Sequence, residues 1–596
     1  MRFKSDKQSG FQVFAVAGVN TVSFAIEATK AAQKGLLGFG VERADPVEDE
    51  RYAIPGFKVF RSVVPYPTKD TRASTFEHPI QSFVWDDFTA KPGRRYTYFF
   101  HPIKGKPKKL DRRAPISIAI ETEPLYSTLE HDVFFNRGVA SSQAYSLRFR
   151  NLKPDKIVDP VERKKALQWL SRDLDDALLR FLRQAKAGDQ LLGCFYEFRY
   201  APIVEAFAAA SERGVDVRLI LDGKVNESTD KKGVFHPSFP REENRAAVTA
   251  AGIPEGNVTW REAKTNDIQH NKFVVLRKGT ARKPTSVWTG STNLSEGGIH
   301  GQTNVGHWLR NAAVAERYVA YWELLESDPG GRDGDDTATA RAKNDAFKRE
   351  VEALAEVPTR LEEVATGVTP IFSPRRGLDV LDFYVSLLDS AASCGCITLA
   401  FGIGKQFKQA LEDNTAADQL TLMLLEKADR PKANSTNAFV VINAKNNVYK
   451  AWGSYLEDPL YQWIRETNAR SLGLNQHVAY VHSKFLLVDP LGPDPIVVTG
   501  SANFSDASTN ANDENMLVIR GDRRVADIYF TEFNRLWNHY YFRSVQQATR
   551  GKQPASATEN NLFLTESDRW LAKYAPGKLR AKRRAIYSSM AGAKKG

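Results

Sequence analysis

The sequence lacks the features that would place it in several common classes of protein. Its 596 residues contain no apolar run of the roughly 20 residues that a membrane span requires. The first residues lack the apolar stretch and cleavage site of a secretory signal. The three cysteines, Cys194, Cys394 and Cys396, are too few for a disulfide framework, and Cys-x-Cys alone is a poor zinc signal. We therefore expect a cytoplasmic protein with reduced, buried cysteines, no metal site and no cofactor.

Positive charge is in excess. The chain has 83 Lys and Arg against 71 Asp and Glu, a net charge of +12. Such a surface attracts polyanions, which include nucleic acid, an anionic membrane surface and a phosphate-bearing substrate. The densest basic run extends from Lys578 to Gly596. A solvated tail and an arm that contacts an anionic membrane or nucleic acid both fit this run.

The first 123 residues predict an all-β, sandwich-like domain. Short strand-like runs are separated by turns rich in Pro, Gly and Asp. These runs are FQVFAVAG, TVSFAIE, GFKVFRSV, SFVWDDF, RRYTYFFHPI and ISIAIETE. Because no candidate catalytic group stands out in them, we expect a structural or docking role.

After residue 123, helices alternate with short apolar strands, and the alternation occurs twice. In each copy a helix, a strand, a helix and a strand precede a strand with His-x-Lys-Phe and another that ends in Gly-Ser-x-Asn. The first helix of the first copy is expected at Ala166–Gln184. The predicted units are a β domain at 1–123, repeats at 124–326 and 361–545, a linker at 327–360, and a basic tail at 546–596.

The repeated motifs place the same chemical groups in both copies. On a strand, side chains two residues apart point to the same face, so each His projects together with its Lys while Asn271 or Ser483 between them faces away. The first copy supplies His270, Lys272, Gly290, Ser291 and Asn293, and the second supplies His482, Lys484, Asp489, Gly500, Ser501 and Asn503.

These groups suit cleavage of a phosphodiester. The reaction needs a nucleophile for phosphorus, an acid for the leaving oxygen, and fixed donors around the phosphoryl oxygens. One neutral imidazole can attack while the other, protonated, donates, and Lys and Asn side chains can hold the phosphate. In this scheme the fixed cations replace the metal ion used by other phosphoryl-transfer enzymes.

The motifs resemble the HKD motif of the phospholipase D superfamily, His-x-Lys-x4-Asp followed by Gly-Ser-x-Asn. The resemblance covers about residues 124–542 and implies two α/β/α repeats packed as a pseudo-twofold pair around one site. The second copy fits in full through Asp489, which the family uses as a scaffold residue. The first copy departs from the pattern because Arg277 occupies the Asp position, where we expect a neutral surface replacement.

The resemblance also implies a crosswise pairing between the copies. In the family an acidic residue after the Asn bonds to the histidine of the opposite copy, and Glu514 occupies that position in the second copy. Asn304 occupies it in the first. The pairing implies that Glu514 orients His270 as the nucleophile, while His482 beside Asn304 acts as general acid and base.

The substrate remains open at this stage. Two HKD copies in one chain resemble the lipid-acting members more than the single-copy nucleases, so a phospholipid diester is slightly favoured. A DNA or RNA nuclease is the alternative, supported by the positive charge. A non-catalytic phosphate-binding scaffold is a third hypothesis, prompted by Arg277 and Asn304. The sequence does not indicate an oligomeric state.

Other residues receive a structural interpretation. Three histidines without a partner at motif spacing and most of four aromatic residues near the expected rim are assigned to packing. Inserts at 222–243 and 428–456 follow strands that lead toward the site, and we expect them to select the substrate. The residues concerned are His300, His307, His477, Trp288, Trp452, Tyr455 and Trp463.

Overall fold

The computed structural model describes most of the chain. The described residues are 1–56, 58–68, 71, 73–138, 145, 148–150, 152–263, 267–416, 418–431, 440–453, 480–549 and 563–596, and the side chains of 542–549 are left aside. Within this part, no helix is both long and apolar enough to cross a bilayer.

The N-terminal region is a β domain built from two sheets. Phe24, Phe39 and Tyr98 from the two sheets meet in a shared apolar core, because alternate residues of each strand face inward. The strands are β1 Arg2–Lys4, β2 Phe11–Ala17, β3 Val22–Ala28, β4 Gly38–Asp45, β5 Glu50–Ala53, β6 Pro55–Gly56, β7 Ala73–Ser74, β8 Val84–Asp87, β9 Arg95–Lys106, β10 Lys109–Arg112 and β11 Ile116–Glu121.

The structure corrects two details of this domain. GFKVFRSV was expected as a strand, but residues 58–63 form turns and irregular chain after the two-residue strand β6. The sequence interpretation also missed β4, whose eight residues pair with β9 along most of their length. Val41, Arg43 and Asp45 lie buried on one face of β4, so the charged side chains on that buried face concealed the strand.

The C-terminal segment is folded, which corrects the expectation of a solvated tail. Trp570 is 2% exposed and donates its Nε1–H to Leu36 O at 2.8 Å. Tyr574 lies against Phe83 in the β-domain core, and a short strand at the chain end pairs with β1. The aromatic side chains explain why this segment packs against the β domain, because burial of their large apolar surface stabilises the contact. The basic residues between them do not prevent it.

Two α/β units follow, and they have the same topology. In both seven-stranded sheets, equivalent strands occupy equivalent places and pair with equivalent directions. The first sheet has the order β12-β20-β19-β18-β13-β14-β17, and the second has the order β21-β27-β26-β25-β22-β23-β24. The expected internal duplication in an α/β fold is therefore confirmed.

The strand bounds of the two units are as follows. The first unit contains β12 His131–Phe135, β13 Gln190–Phe195, β14 Asp216–Asp222, β15 Ser228–Thr229, β16 Phe235–His236, β17 Val258–Arg261, β18 Lys272–Lys278, β19 Lys283–Gly290 and β20 Val305–Leu309. The second contains β21 Gly367–Ser373, β22 Gly395–Leu399, β23 Thr421–Leu425, β24 Val448–Trp452, β25 Phe485–Val488, β26 Ile496–Gly500 and β27 Glu514–Arg520, and the terminal strand is β28 Lys594–Lys595.

Helices cover both sheets and fill the space between them. The α-helices are α1 Lys30–Gln33, α2 Pro160–Ser171, α3 Leu174–Arg183, α4 Ala201–Glu212, α5 Arg241–Ala250, α6 Ala312–Glu326, α7 Thr337–Leu354, α8 Asp379–Asp389, α9 Lys405–Ala410, α10 Asp506–Asn510, α11 Arg523–Thr549 and α12 Leu579–Ser588. Short 3₁₀ turns lie at Pro154–Lys156, Glu255–Asn257, Leu361–Glu363, Ala444–Asn446 and Asp568–Tyr574, and a π turn lies at Gly297–Gly301.

Two helical expectations change. The single helix expected at Ala166–Gln184 is broken into α2 and α3, because Arg172 and Asp173 adopt left-handed backbone angles with φ of 44° and 69°. The linker was expected to be exposed and to continue into a helix; the helix is present as α7, but its Phe347 and Val351 are buried in the central core. The bounds of the five predicted units stay a prediction.

The two repeats share one core along their interface. The last helix of each repeat packs its aromatic side chains against the sheet of the other. Tyr321 of α6 stacks on Phe372 of β21 with 4.5 Å between the ring centres. Tyr529 of α11 contacts Phe135 of β12 with 5.2 Å between the ring centres. Phe135 and Phe372 occupy equivalent strand positions, so the packing has pseudo-twofold symmetry and brings the carboxyl ends of β13 and β22 to a common face.

Candidate active site

The two His-x-Lys segments meet at the pseudo-twofold axis through crossed backbone contacts. His270 N donates to Asp513 O at 2.9 Å, and Asp513 N donates to Ile268 O at 3.0 Å. In the other half, Thr303 N donates to Tyr480 O at 2.7 Å, and the amide of His482 donates back to Thr303 O at 3.2 Å. Each histidine is thus fixed by the residue that precedes the pairing acid or amide of the opposite repeat.

The side chains cross in the same way. His270 Nδ1 lies 2.9 Å from Glu514 Oε1, and His482 Nδ1 lies 2.9 Å from Asn304 Oδ1. Asn304 also accepts from Ser291 Oγ at 2.9 Å, while its amide donates to Gly298 O at 2.8 Å. Because both partners of the histidines are oxygen acceptors, each ring carries its proton on Nδ1 when neutral, which leaves Nε2 free to act on a substrate.

The two lysines are buried beside the histidines. Lys272 and Lys484 are 2% and 0% exposed, and each donates to the backbone oxygen of its own histidine, at 2.7 Å for Lys484. Asn271 and Ser483 point the other way, where Asn271 accepts from Asn515 Nδ2 at 2.8 Å. The alternation expected for a strand therefore places both ammonium groups on the face of the imidazoles.

Burial dominates the ionisation of these groups. It lowers the pKa of His270 to about 4, against the pull of Glu514, and lowers the pKa of Lys272 to about 8. Burial and the neighbouring lysines hold the pKa of His482 well below its usual range, and burial does the same for Lys484. Burial opposes ionisation of Glu514, but His270 and Lys272 keep its pKa below its usual value. At neutral pH both imidazoles are therefore uncharged, while Lys272 keeps its charge near the Glu514 carboxylate.

The Gly-Ser turns precede Asn293 and Asn503 in the two repeats. A Cβ on Gly290 or Gly500 would lie 2.2 Å from the carbonyl oxygen of the neighbouring strand, so only glycine fits. Ser501 Oγ accepts from Asn515 N at 3.0 Å, as Ser291 Oγ accepts from Val305 N at 3.1 Å. The serines therefore hold the turns against the strands that carry Glu514 and Asn304.

Asn293 and Asn503 follow these turns. Asn293 donates to Glu197 Oε1 at 2.6 Å. The Oδ1 atoms of both asparagines are buried and have no hydrogen-bond partner in the described part of the chain. Such orphaned polar atoms are costly unless a ligand or water completes them, which fits a role in substrate contact.

Glu197 is a candidate site residue that the sequence interpretation missed. It is 8% exposed, bonds to Asn293, and pairs with Arg199 at 2.8 Å. The register of β13 with β18 and of β22 with β25 makes Phe401 its counterpart in the second repeat. The sequence does show an acid two residues beyond the strand LLGCF. The second copy has no acid at the equivalent position, so the pattern of repetition did not point to Glu197.

Asp222 and Glu426 are a second missed pair at equivalent positions, Asp222 as the last residue of β14 and Glu426 directly after β23. Asp222 Oδ2 accepts from Gln269 N at 2.9 Å, and Glu426 Oε2 accepts from Val481 N at 2.8 Å. Each carboxyl thus holds the residue just before a motif histidine, and burial raises the pKa of Asp222 to about 7. Aligning the two repeats by their motifs shows an acid at the end of both strands.

Asp489 is a scaffold residue of the second repeat. The first repeat, in which Arg277 occupies the motif position, also has a scaffold carboxylate. Asp489 accepts from the backbone N–H groups of Ala392, Ser393 and Cys394 at 2.7–2.9 Å, which ties the end of β25 to the start of β22. In the first repeat Asp189 makes the same connection from the opposite strand, accepting from Gly279 N at 2.8 Å.

Arg277 itself is partly buried, which corrects the expectation of a neutral surface replacement. It donates to Gln190 Oε1 at 2.9 Å and to Arg282 O at 2.8 Å. Within the described residues, no cluster of three or more His, Cys, Asp or Glu side chains could hold a metal ion. The expectation of metal-independent chemistry stays a prediction.

The remaining candidates divide between core and undescribed positions. His307 is buried against His131, 2.8 Å away, His300 is buried beside Tyr200, and Trp288 stacks on Phe134, so packing accounts for them. Trp452 is half-buried at the end of β24. His477, Tyr455 and Trp463 lie outside the described residues, as does much of the insert at 428–456.

Comparison with known proteins follows the two repeats. A family model described as "Cardiolipin synthase, PLD-like domain" matches residues 178–325 and again residues 389–537. A mitochondrial cardiolipin hydrolase of Xenopus tropicalis is 41% identical over 66 residues, 11% of this chain. The matched stretch spans only 29% of that relative's length.

Two solved structures resemble parts of the chain. The phosphatidylserine synthase of Haemophilus influenzae is 12% identical with a TM-score of 0.40, covering 70% of this chain and 94% of that one. Nuc of Salmonella typhimurium, a phospholipase D family member, is 21% identical with a TM-score of 0.19, covering 25% and 84%. Likenesses at this level carry no information on substrate. With the twice-matched domain model and the duplicated HKD segments, the chain belongs to the phospholipase D superfamily and carries two phospholipase D-like domains.

Proposed function

We propose that this protein cleaves phosphodiesters through a phosphohistidine formed on His270, with His482 as general acid and base. The observation that carries the proposal is the crossed pairing of His270 with Glu514 and of His482 with Asn304 through Nδ1, in a buried cluster where both lysines lie close enough to lower the pKa of both histidines. A carboxylate stabilises the imidazolium character that develops on an attacking histidine, so Glu514 selects His270 as the nucleophile.

The first step forms a bond from His270 Nε2 to phosphorus and breaks the bond from phosphorus to the leaving oxygen. That oxygen takes a proton from His482 Nε2. Lys272, Lys484, Asn293 and Asn503 stabilise the negative charge on the phosphoryl oxygens. Binding of the anionic diester also raises the lowered pKa of His482, so His482 gains its proton as the substrate binds.

The second step releases the enzyme. Water or an alcohol attacks phosphorus while His482 takes its proton, and the bond from phosphorus to His270 breaks with its electron pair returning to Nε2. Water makes the protein a hydrolase, and an alcohol makes it a transferase. Fixed cations neutralise the phosphoryl charge in this scheme, so the reaction is proposed to proceed without a metal ion.

A phospholipid diester is the favoured substrate. The family model carries the description of a cardiolipin synthase, and the curated relative is named a cardiolipin hydrolase, which supports a lipid over a nucleic acid. The net charge of +12 supports the alternative, a nuclease. The hypothesis of a non-catalytic phosphate-binding protein was prompted by Arg277 and Asn304. Arg277 now gives it less support, because Asp189 supplies in the first repeat the connection that Asp489 makes in the second.

A parallel assay in EDTA tests the proposal. The purified chain is offered phosphatidylcholine, phosphatidylglycerol, single-stranded DNA, duplex DNA, RNA and a chromogenic diester. We expect turnover of phospholipid and of the chromogenic diester, lost in His270→Ala and in His482→Ala. Denaturation during turnover is expected to trap phosphate on His270. Phosphate on His482 would reverse the roles, turnover of nucleic acid alone would establish the alternative, and no turnover of any diester would favour the scaffold.

A further inference from the structure

A carboxylate lies beside the side chains that are proposed to hold phosphate. Glu197 is 8% exposed and accepts from Asn293 Nδ2 at 2.6 Å. It is also close enough to Lys272 to raise the pKa of that lysine against the larger effect of burial. Like charges that are partly buried repel each other more strongly than they do in water. A negative group next to the binding place of an anion therefore needs a functional explanation.

The backbone fixes Glu197 against the turn that carries Asn293. Leu294 N donates to Glu197 O at 3.2 Å, and Leu294 O accepts from Arg199 N at 2.9 Å and from Tyr200 N at 2.8 Å. The segment after β13 is therefore bonded firmly to this turn. Because the carboxylate accepts, it is the Nδ2 end of the Asn293 amide that faces Glu197. An amide nitrogen has two hydrogens, so one is left for a phosphoryl oxygen.

Arg199 neutralises the carboxylate only in part. Its guanidinium donates to Glu197 Oε2 at 3.1 and 2.8 Å, and it also pairs with Glu243 at 2.9 Å. One guanidinium thus serves two carboxylates. Glu243 is exposed, so water and salt screen its charge, whereas Glu197 is buried and screened less. The cluster therefore leaves negative charge at its buried end, beside Asn293.

The second repeat has no acid at this place. Phe401 is the counterpart of Glu197 in strand register, and it is 70% exposed. The histidine, the lysine and the asparagine recur in both repeats, so a half-site is built in the second repeat without a carboxylate at this position. The presence of Glu197 in one half alone points to selection of a substrate and not to a requirement of the fold.

The charges around the site balance before a substrate binds. Two buried lysines, Lys272 and Lys484, lie with two buried carboxylates, Glu514 and Glu197, and burial favours the neutral form of both lysines. A diester brings one negative charge, which the proton taken up by His482 offsets. A phosphomonoester carries nearly two negative charges at neutral pH, because its second pKa is about 6. Its second charge has no such partner and meets Glu197.

We propose that Glu197 is a specificity-determining residue, which makes the site select singly charged phosphodiesters and reject doubly charged phosphomonoesters. The same repulsion acts on the product of hydrolysis. Attack of water on the phosphohistidine releases a phosphomonoester, and ionisation of its second acidic group increases its repulsion from Glu197 and favours its release. The inference rests on the proposed function, in that one site at His270 binds both the diester and the product.

The affinities of two probes of nearly equal shape test the selection. Near neutral pH, phenyl methylphosphonate carries one negative charge and phenyl phosphate carries nearly two. Calorimetry measures the binding of each to the purified protein, and we expect the parent to prefer the monoanion. Glu197→Gln keeps an oxygen that accepts from Asn293 but removes the charge. The ratio of the two affinities is therefore expected to shift toward the dianion by roughly tenfold.

A second variant separates the charge from the hydrogen bond. Glu197→Asp keeps a carboxylate on a shorter side chain, so both probes should bind more weakly while the ratio of their affinities stays near that of the parent. The matched control is Glu205→Gln, at an exposed position of α4, which should bind both probes within about twofold of the parent. The preference of the parent for the monoanion is itself a test that does not depend on the folding of any variant.

Two results would overturn the inference. One is a parent that does not bind the monoanion more tightly than the dianion, and the other is a ratio of affinities that is unchanged in Glu197→Gln. The proposed function is followed separately by turnover of the chromogenic diester. Selective binding without turnover would leave the role of Glu197 intact and remove the cleavage, whereas turnover with an unchanged ratio in Glu197→Gln would do the reverse.

Discussion

At the scale of single residues, the two histidines differ in the group that contacts Nδ1. Glu514 places a carboxylate on Nδ1 of His270, and Asn304 places a neutral amide oxygen on Nδ1 of His482, both at 2.9 Å. A carboxylate stabilises the imidazolium form more than an amide does. The proposed division of labour between nucleophile and general acid therefore rests on these two partners.

Exchange of the two partners is expected to move opposite limbs of the pH profile. Asn304→Asp adds a carboxylate that raises the pKa of His482, by roughly 1–3 units for an opposite charge this close, so the basic limb of kcat/KM moves to higher pH. Glu514→Gln removes the group that holds up the pKa of His270, so the acidic limb moves to lower pH and kcat falls by roughly 10²-fold. Movement of the same limb in both variants would contradict the assignment of roles.

The charge of Lys272 gives a second prediction. Burial lowers its pKa to about 8, so the ammonium is charged below that pH and neutral above it. Affinity for vanadate or inorganic phosphate is expected to fall as the pH rises through about 8, measured by calorimetry. Lys272→Met should lose this step, and Lys283→Met, at an exposed position, should keep it. A flat profile in the parent would show that Lys272 does not hold the anion.

The sequence predicted the histidines and lysines of the site better than the residues that position the site from neighbouring strands. His270, Lys272, His482 and Lys484 recur at fixed spacing, and spacing on a strand determines which face they share. Glu197 is different, because it reaches the site from a neighbouring strand and its counterpart is Phe401. Pairing between strands depends on tertiary register, which single-sequence patterns do not encode.

At the scale of elements, two carboxylates perform one task from opposite strands. Asp489 follows β25 and binds the start of β22, whereas Asp189 precedes β13 and binds the end of β18. The first repeat thus keeps the connection while Arg277 occupies the motif position. The sequence could not reveal this exchange, because Asp189 lies 83 positions before Lys272 and only strand pairing brings it near.

Removal of either carboxylate is expected to destabilise its repeat. Asp189→Ala and Asp489→Ala each remove the acceptor of backbone N–H groups that join two strands, at partly buried positions, which costs about 1–3 kcal/mol in the free energy of unfolding. Urea denaturation followed by circular dichroism measures the change. Asp155→Ala, at an exposed position, is the control. If Asp189→Ala is silent while Asp489→Ala is costly, Asp189 does not replace the motif carboxylate.

Element boundaries were predicted where periodicity was strong. Two of the apolar strands expected before the motif strands are present as β13 and β23. The helix expected across Ala166–Gln184 breaks because Arg172 donates to Phe135 O at 2.9 Å and pairs with Glu532 at 2.8 Å. Phe135 and Glu532 are far from Arg172 in sequence, so local helix propensity did not indicate the break.

At the scale of the whole molecule, the β domain and the chain end brace the repeats. Arg2 pairs with Asp527 of α11 at 2.8 Å, and Arg524 of the same helix pairs with Glu123 at 2.7 Å. The guanidinium of Arg583 in α12 lies 5.0 Å from the ring centre of Trp537. These contacts use part of the basic C-terminal run inside the molecule, where it cannot act as a free arm.

The docking of the chain end gives the last prediction. Trp570 is 2% exposed in the core of the β domain and bonds to Leu36 O, so Trp570→Ala is expected to lower the free energy of unfolding by about 3–5 kcal/mol. Urea denaturation measures this, with the exposed neighbour in Arg569→Ala as the control. Because the segment is structural, binding to duplex DNA or to anionic vesicles should be unchanged where Trp570→Ala remains folded. Unchanged stability together with weakened binding to either polyanion would instead assign the C-terminal run the role of a binding arm.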